Sequence, residues 1–335
     1  MSNYLNYLFV LLVFTCCSFA HAETIRRAAF DFGSGKIKVQ IADVDTDTHK
    51  ILNSIYSEDI IVLLSEDSVH QPQGMFSREI QDRAVSAAKR LKQKSIEYGA
   101  IEFKGLATEA YRKAPNSQEL VDRYLSELGI PVVIISQEEE GKNGFLALIA
   151  ETNLDPTQVI AWDIGGGSFQ VTYLNDENSI QVYMAPFGRM TTKNAIIEHV
   201  KGWNPSEISS PNPMSLSDWN MALDYFGETL PEIPEELAIK LKRSDVQVIG
   251  ISAHPEQLRL LTRYNVHDIS AALEGRLDKT DSELAGVHKA PETAVSELVL
   301  VYSILQKLQA QQVNYVRTHS GSTSALLISE EYWNQ

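Results

Sequence analysis

One short unit occurs twice in this 335-residue chain, and the repetition limits its fold more than any other feature. Ala28-Ala29-Phe30-Asp31-Phe32-Gly33-Ser34-Gly35 is an apolar run that ends in Asp-x-Gly and small residues. Ile160-Ala161-Trp162-Asp163-Ile164-Gly165-Gly166-Gly167-Ser168 is another. Each predicts a buried strand entering a tight turn. A second strand follows each (38–44 and 170–174), then a polar turn (45–48 and 175–178), then a third strand near 51–56 or 180–184. Two copies of a strand-turn-strand-turn-strand unit imply two similar domains facing each other across a cleft, divided here into 23–137 and 138–335.

Helical periodicity fills the intervals, so the class is α/β. Residues 77–98 place Ile80, Ala84, Ala87, Ala88 and Leu91 on one face. Ser136-Gln137-Glu138-Glu139 has the form of a capping box, with Phe145, Leu148 and Ile149 as the buried face of the helix it starts. Ala294, Leu298, Val301, Leu305 and Leu308 follow helical spacing, and the Pro- and Ser-rich stretch 204–217 reads as a surface loop.

The turns are the candidate sites. Gly165-Gly166-Gly167 directly after a strand can bring backbone N–H groups against an anion, although a tight hairpin needs such glycines too. Asp163 beside that turn suits a Mg²⁺ ligand, and Asp31 with Gly33 and Ser34 repeats the arrangement. In Glu138-Glu139-Glu140, acidic side chains complement the helix dipole and Glu139 serves the cap. Glu140, one residue beyond the box, is the candidate to activate water, with Gly141 leaving room beside it. Leu106–Arg112 reads as a strand entering a loop, where Arg112 either clamps a phosphate or is solvated.

In order along the chain, Asp31-x-Gly33-Ser34, Ala107-Thr108-x-Ala110-x-Arg112, Ser136-x-Glu138-Glu139-Glu140 and Asp163-x-Gly165-Gly166-Gly167-Ser168 resemble the Ppx/GppA exopolyphosphatase family. The resemblance implies two actin-like (ribonuclease H-like) domains around a central cleft, in the short two-domain form. It implies Glu140 as catalytic base and Arg112 as phosphate contact. Asp163, with Asp31 and Glu140, becomes the Mg²⁺ site. Asp31, Gly33, Ser34 and Lys36 become one phosphate loop, and Gly165, Gly166, Gly167 and Ser168 the other. The implied substrate is polyphosphate or pppGpp. Departures are Gly35-Lys36, where the family carries Asn-Ser, and Ala253-His254-Pro255 in place of a glycine-threonine turn. Gly141 and Gln170 are similar to the apyrase branch, which leaves a nucleotide substrate as the alternative. A binding protein that kept the fold is a second, a sugar kinase a third. The resemblance also leaves a homodimer open.

Residues 1–22 read as a signal peptide: an apolar run from Leu5 to Phe19 closes on Ala20-His21-Ala22. No Lys or Arg precedes the run, so an uncleaved membrane anchor is the other reading. Both cysteines, Cys16 and Cys17, lie in this segment, so cleavage leaves no thiol, as suits a periplasmic or secreted protein. A formal charge of −15 speaks against general nucleic-acid binding. It also requires any phosphate site to be locally basic or to carry a metal ion.

Overall fold

The structure is a computed structural model that describes residues 24–152, 154–251, 258, 263–316 and 322–334. The expected leader, the Ala253-His254-Pro255 turn and Thr318 lie outside the described residues.

Two sheets carry the chain, and their strand orders match apart from one extra edge strand in the second. The first contains β1 (Thr24–Phe32), β2 (Lys36–Asp45), β3 (Lys50–Ile61), β4 (Glu102–Ala107) and β5 (Val132–Ile134), in the order β3-β2-β1-β4-β5. The second contains β6 (Val159–Ile164), β7 (Phe169–Leu174), β8 (Ile180–Ala185), β9 (Gln247–Gly250), β10 (Arg263–Tyr264) and β11 (Val313–Tyr315), in the order β10-β11-β9-β6-β7-β8. In each, three antiparallel strands form a meander and the first of them also pairs in parallel with the strand after the crossover. This is the ribonuclease H-like plan expected of two actin-like domains.

Strand alternation decides which way the repeated aspartates point. Phe30 and Phe32 enter the outer core of the first sheet, with Ile80, Ala84, Ala88 and Leu91 of the helix Arg78–Glu97. Ala29, of opposite parity, joins Leu326 and Leu327 on the inner face, the parity Asp31 shares. On β6, Trp162 and Ile164 enter the outer core with Trp219, Phe226 and Leu298, while Ala161 packs with Phe145 and Leu148 on the inner face, the parity of Asp163. Both aspartates therefore belong to the surfaces the two sheets turn toward each other.

The helix Gln137–Thr152 lies in that middle layer. Its capping box forms as expected: Ser136 N–H donates to Glu139 Oε2 at 2.8 Å, and Glu139 N–H donates to Ser136 Oγ at 3.1 Å. The helix presses on the second sheet through Gly141, where a Cβ would lie 2.7 Å from Val182 Cγ1 and 3.0 Å from Thr172 Oγ1. Gly141 thus serves helix–sheet packing, and the expectation that it leaves substrate room beside Glu140 is corrected.

The C-terminal helix Ser322–Ile328, which a division at residue 137 assigns to the second half, packs on the first sheet through Leu326 and Leu327. Arg27 of β1 fixes it there, bonding Leu327 O at 3.1 Å and Glu330 Oε1 at 2.7 Å. The residues expected as a loop at 204–217 end in a helix, Leu216–Thr229, capped by Ser215.

Candidate active site

The two Asp-x-Gly turns close in the same way. Gly33 N–H donates to Lys36 O (3.0 Å) and Gly165 N–H to Ser168 O (2.8 Å). Behind the first turn, Ser34 O accepts from Ser65 N–H and Gly35 O from Val62 and Leu63 N–H, at the start of α1 (Leu64–Val69). Behind the second, Gly165 O accepts from Arg189 N–H and Gly166 O from Met190 N–H, in the first turn of the helix Arg189–Ala195. With their carbonyls committed backward, the turns keep N–H groups for whatever lies in front, as an anion cradle requires. The loops meet: a Cβ on Gly166 would lie 3.3 Å from Ser34 Cβ.

Gly188 makes the second closure possible. A Cβ on it would sit 2.6 Å from Gly165 O, from Gly166 C and from Gly167 N, all backbone atoms that cannot swing aside. Thr191 adds a hydroxyl bond to Gly167 O (3.1 Å), and Gln170 donates to Ser168 Oγ (3.0 Å).

Glu140 sits one turn into the middle helix, with its side chain 12% exposed. Burial raises its pKa to about 7. Asp163 and Asp31 push in the same direction, and Arg112 opposes them. Arg112 donates to Glu140 Oε2 at 2.9 Å and to Ile135 O at 2.9 Å. It lies at the end of a short helix, Glu109–Lys113, where the sequence suggested a loop. A carboxylate poised near neutral pH can take a proton from water and hold it, as a general base must.

Asp31 Oδ2 pairs with Lys38 Nζ at 3.3 Å, and the buried Oδ1 has no hydrogen-bond partner. Burial disfavours the Lys38 ammonium, but Asp31 and then Asp163 outweigh it, and its pKa is raised. Asp163 lies against the middle helix, its Oδ2 3.4 Å from where a Cβ on Gly144 would be.

Residues 41–205 match the model of the Ppx/GppA phosphatase family. The chain carries a Ppx/GppA-family domain. Among similar proteins, exopolyphosphatase 1 of Mycobacterium leprae is 24% identical over 288 residues, covering 82% of this chain and 81% of that one. Exopolyphosphatase 1 of Mycobacterium tuberculosis is 23% identical, covering 82% and 80%. Of the solved structures, a Ppx/GppA enzyme of Aquifex aeolicus superposes with a TM-score of 0.69 at 17% identity, covering 91% of this chain and 99% of that chain. An exopolyphosphatase of Cytophaga hutchinsonii gives 0.68 at 21%, covering 90% and 96%. These structural likenesses support the Ppx/GppA fold.

The structure gathers most of the residues singled out in the sequence, those of the matched segment together with Asp31 and Ser34 ahead of it. Asp31, Ser34, Arg112, Glu140, Asp163 and the Gly165–Ser168 turn share one neighbourhood. Lys36 stands apart: its ammonium pairs with Asp59 at 3.0 Å, both side chains well exposed. The lysine that reaches Asp31 is Lys38, which sequence reasoning missed although it is the cross-strand partner of Asp31. Glu109 was missed as well. It is buried and accepts from Ser34 Oγ at 2.6 Å.

The local basicity that a net charge of −15 demands is present but internally matched. Lys38 faces Asp31, Arg112 faces Glu140, Lys113 faces Glu109, and Lys193 faces Glu66 at 3.4 Å. Among the described residues, no group of three or more His, Cys, Asp or Glu is already arranged to hold a metal. A carboxylate pair does suit Mg²⁺, which keeps several waters and takes further oxygens from substrate phosphates. The partnerless Asp31 Oδ1 is an oxygen of the right kind.

Proposed function

We propose that this cleft removes the terminal phosphate of inorganic polyphosphate, or of a chain-end phosphoanhydride such as pppGpp. The observation that carries the reading is the placement of Glu140. It is a mostly buried carboxylate whose pKa burial raises to about 7, interacting with Asp31 and Asp163 and hydrogen-bonded to an arginine. The water oxygen attacks the terminal phosphorus and its proton goes to Glu140. The bond from that phosphorus to the bridging oxygen breaks, and the shortened chain leaves as the anion. The turns at Ser34–Gly35 and Gly166–Ser168 orient the phosphates through backbone N–H groups. Arg112, released from Glu140 by an entering phosphoryl group, contacts its oxygens. A Mg²⁺ ion held by Asp163 and Asp31 would supply charge neutralisation on the phosphate oxygens.

The family description and the names of the mycobacterial relatives support phosphoanhydride chemistry. The apyrase-like alternative is a nucleoside di- or triphosphate substrate at the same site. Phosphate release from long polyphosphate, pppGpp, ATP and ADP in Mg²⁺ tests the reading. The expected result is fastest turnover of polyphosphate or pppGpp. Faster release from ATP and ADP favours the apyrase reading, and tight polyphosphate binding without release favours a binding protein. We also propose that the protein works outside the cytoplasm after loss of residues 1–22, which intact-mass measurement on the periplasmic fraction checks.

A further inference from the structure

Glu109 has a placement that proton transfer does not explain. It opens the short helix after β4 and is 5% exposed. One carboxylate oxygen accepts from Ser34 Oγ at 2.6 Å and from Ser65 Oγ at 3.4 Å, and the other meets the Lys113 ammonium. Its opposite side lies flat on Gly167, where a Cβ would fall 2.0 Å from Glu109 Cδ. A single carboxylate thus touches both Asp-x-Gly turns, at the junction where Gly166 abuts Ser34. The anion that fills the space between the two turns is this side chain, held by the Ser34 hydroxyl and packed on the Cα of Gly167. Nothing larger than glycine fits at 167 while it is there.

We propose that the Glu109 carboxylate is an internal competitor for the phosphate position between the turns, which an entering phosphoryl group must displace. The inference rests on the reading of the cleft as a phosphoanhydride site. Displacement costs Glu109 a charge-assisted bond from Ser34 and a contact with Gly167, so bare Glu109 weakens phosphate affinity and favours ligands with enough charge to win. Its own charge stays matched by Lys113 when it swings aside, since Lys113 lies one helical turn along the same short helix. Two other contacts tie the halves, Lys193 to Glu66 (3.4 Å) and His70 Nδ1 with Ser206 O (2.9 Å), and neither touches a turn. They provide a control, because breaking Lys193–Glu66 loosens the halves and leaves the competing carboxylate in place.

The test is titration calorimetry with inorganic phosphate, the reaction product, which is not turned over. Glu109→Gln keeps the size of the side chain and an acceptor for Ser34 but removes the charge, and Glu109→Ala removes the competitor. Both should bind phosphate tighter than the unmutated protein, by on the order of tenfold for the loss of a charge-assisted bond. Glu66→Gln should leave the phosphate affinity within about twofold, because the pair it breaks, with Lys193 buried and Glu66 partly so, lies on neither turn. Unchanged or weaker binding by folded Glu109→Gln overturns the proposal. Equal tightening by Glu66→Gln also overturns it, since the effect would then come from loosened halves. Polyphosphate turnover by the unmutated protein separates the two levels. If it proceeds while Glu109→Gln fails to tighten, the competitor is wrong and the hydrolase reading stands. If it does not proceed while Glu109→Gln tightens, the hydrolase reading is wrong and the competitor stands.

Discussion

The turn after β1 and the turn after β6 are built on one backbone plan but present different chemistry. The first is surrounded by side chains that carry charge or hydroxyl: Asp31, Ser34, Lys38 and the clasping Glu109. The second also has Asp163 and Ser168, but its middle is three glycines held from behind by Gly188 and Thr191. Duplication of a fold unit copies the geometry of a cradle, and the sequence laid on each copy divides the work. The first turn gathers more charged side chains. The other supplies close approach, which only residues lacking a Cβ allow. The middle helix brings Glu140 within electrostatic reach of the aspartate that precedes each turn.

The largest effect should come from the group that belongs to neither turn. Glu140→Gln keeps the side chain's size and removes the proton acceptor, so kcat should fall by about 10²–10⁴-fold while the phosphate-holding turns remain. The pH profile sharpens this. Burial lifts the Glu140 pKa to about 7, so the free enzyme's base is protonated below that pH. The kcat/KM limb should therefore fall about tenfold per pH unit below ~7 and level off above it. Arg112 lowers that pKa, so Arg112→Met should move the limb to higher pH. A limb in the same place in Arg112→Met would show that the titrating group is not Glu140.

The next two predictions set the turns against each other. Gly188→Ala forces a Cβ into backbone atoms of the glycine turn, and overpacking of this kind costs about 1–3 kcal/mol. Thermal unfolding should register the loss, and phosphate affinity should fall with it because the N–H groups are displaced. Lys38→Met acts on the charged turn instead. It strips Asp31 of its ion-pair partner at a mostly buried place, a loss of about 1–3 kcal/mol at neutral pH, and Mg²⁺ should recover part of that stability by binding the unmatched carboxylate. Mg²⁺ that stabilises the unmutated protein and Lys38→Met equally would break the distinction between the more charged turn and the glycine turn.

How much of this was legible in the sequence follows from the range over which each signal acts. The repeated strands were readable because an apolar run closed by Asp-x-Gly is local, and period-2 alternation then fixes that Asp31 and Asp163 share the inner faces. The cap at Ser136 was readable for the same reason. Gly141 was misjudged because adjacency to Glu140 along the chain says nothing about the helix face, and its neighbours Gln170, Thr172 and Val182 lie on other strands. Lys38 carried a usable signal: a tight turn at Gly33–Lys36 puts Asp31 and Lys38 opposite each other in an antiparallel pair. Glu109 carried none, because its meaning depends on Gly167, which only the approach of the two halves brings near. The return of Ser322–Ile328 to the first sheet was equally hidden, since it depends on complementarity with Ala29, Ala42 and Leu106.

The smallest effect separates two neighbouring carboxylates of the middle helix. Glu139 and Glu140 differ by one position, about 100° around the helix axis, and that rotation gives them different duties. Glu139 turns back to the Ser136 N–H on the exposed side, where it satisfies a donor the helix leaves unpaired. Glu140 turns inward to Arg112 and the aspartates. Glutamine also serves the third position of a capping box, so Glu139→Gln should lose no more than about 1 kcal/mol of stability and leave kcat unchanged. Ser136→Ala, which deletes the other half of the box, should lose about 1 kcal/mol, again with intact turnover per folded molecule. Thermal unfolding with kcat on the same samples makes the comparison. A loss of kcat in Glu139→Gln as large as in Glu140→Gln would mean that the rotation does not divide capping from catalysis, and the base would have to be reassigned within the acidic run.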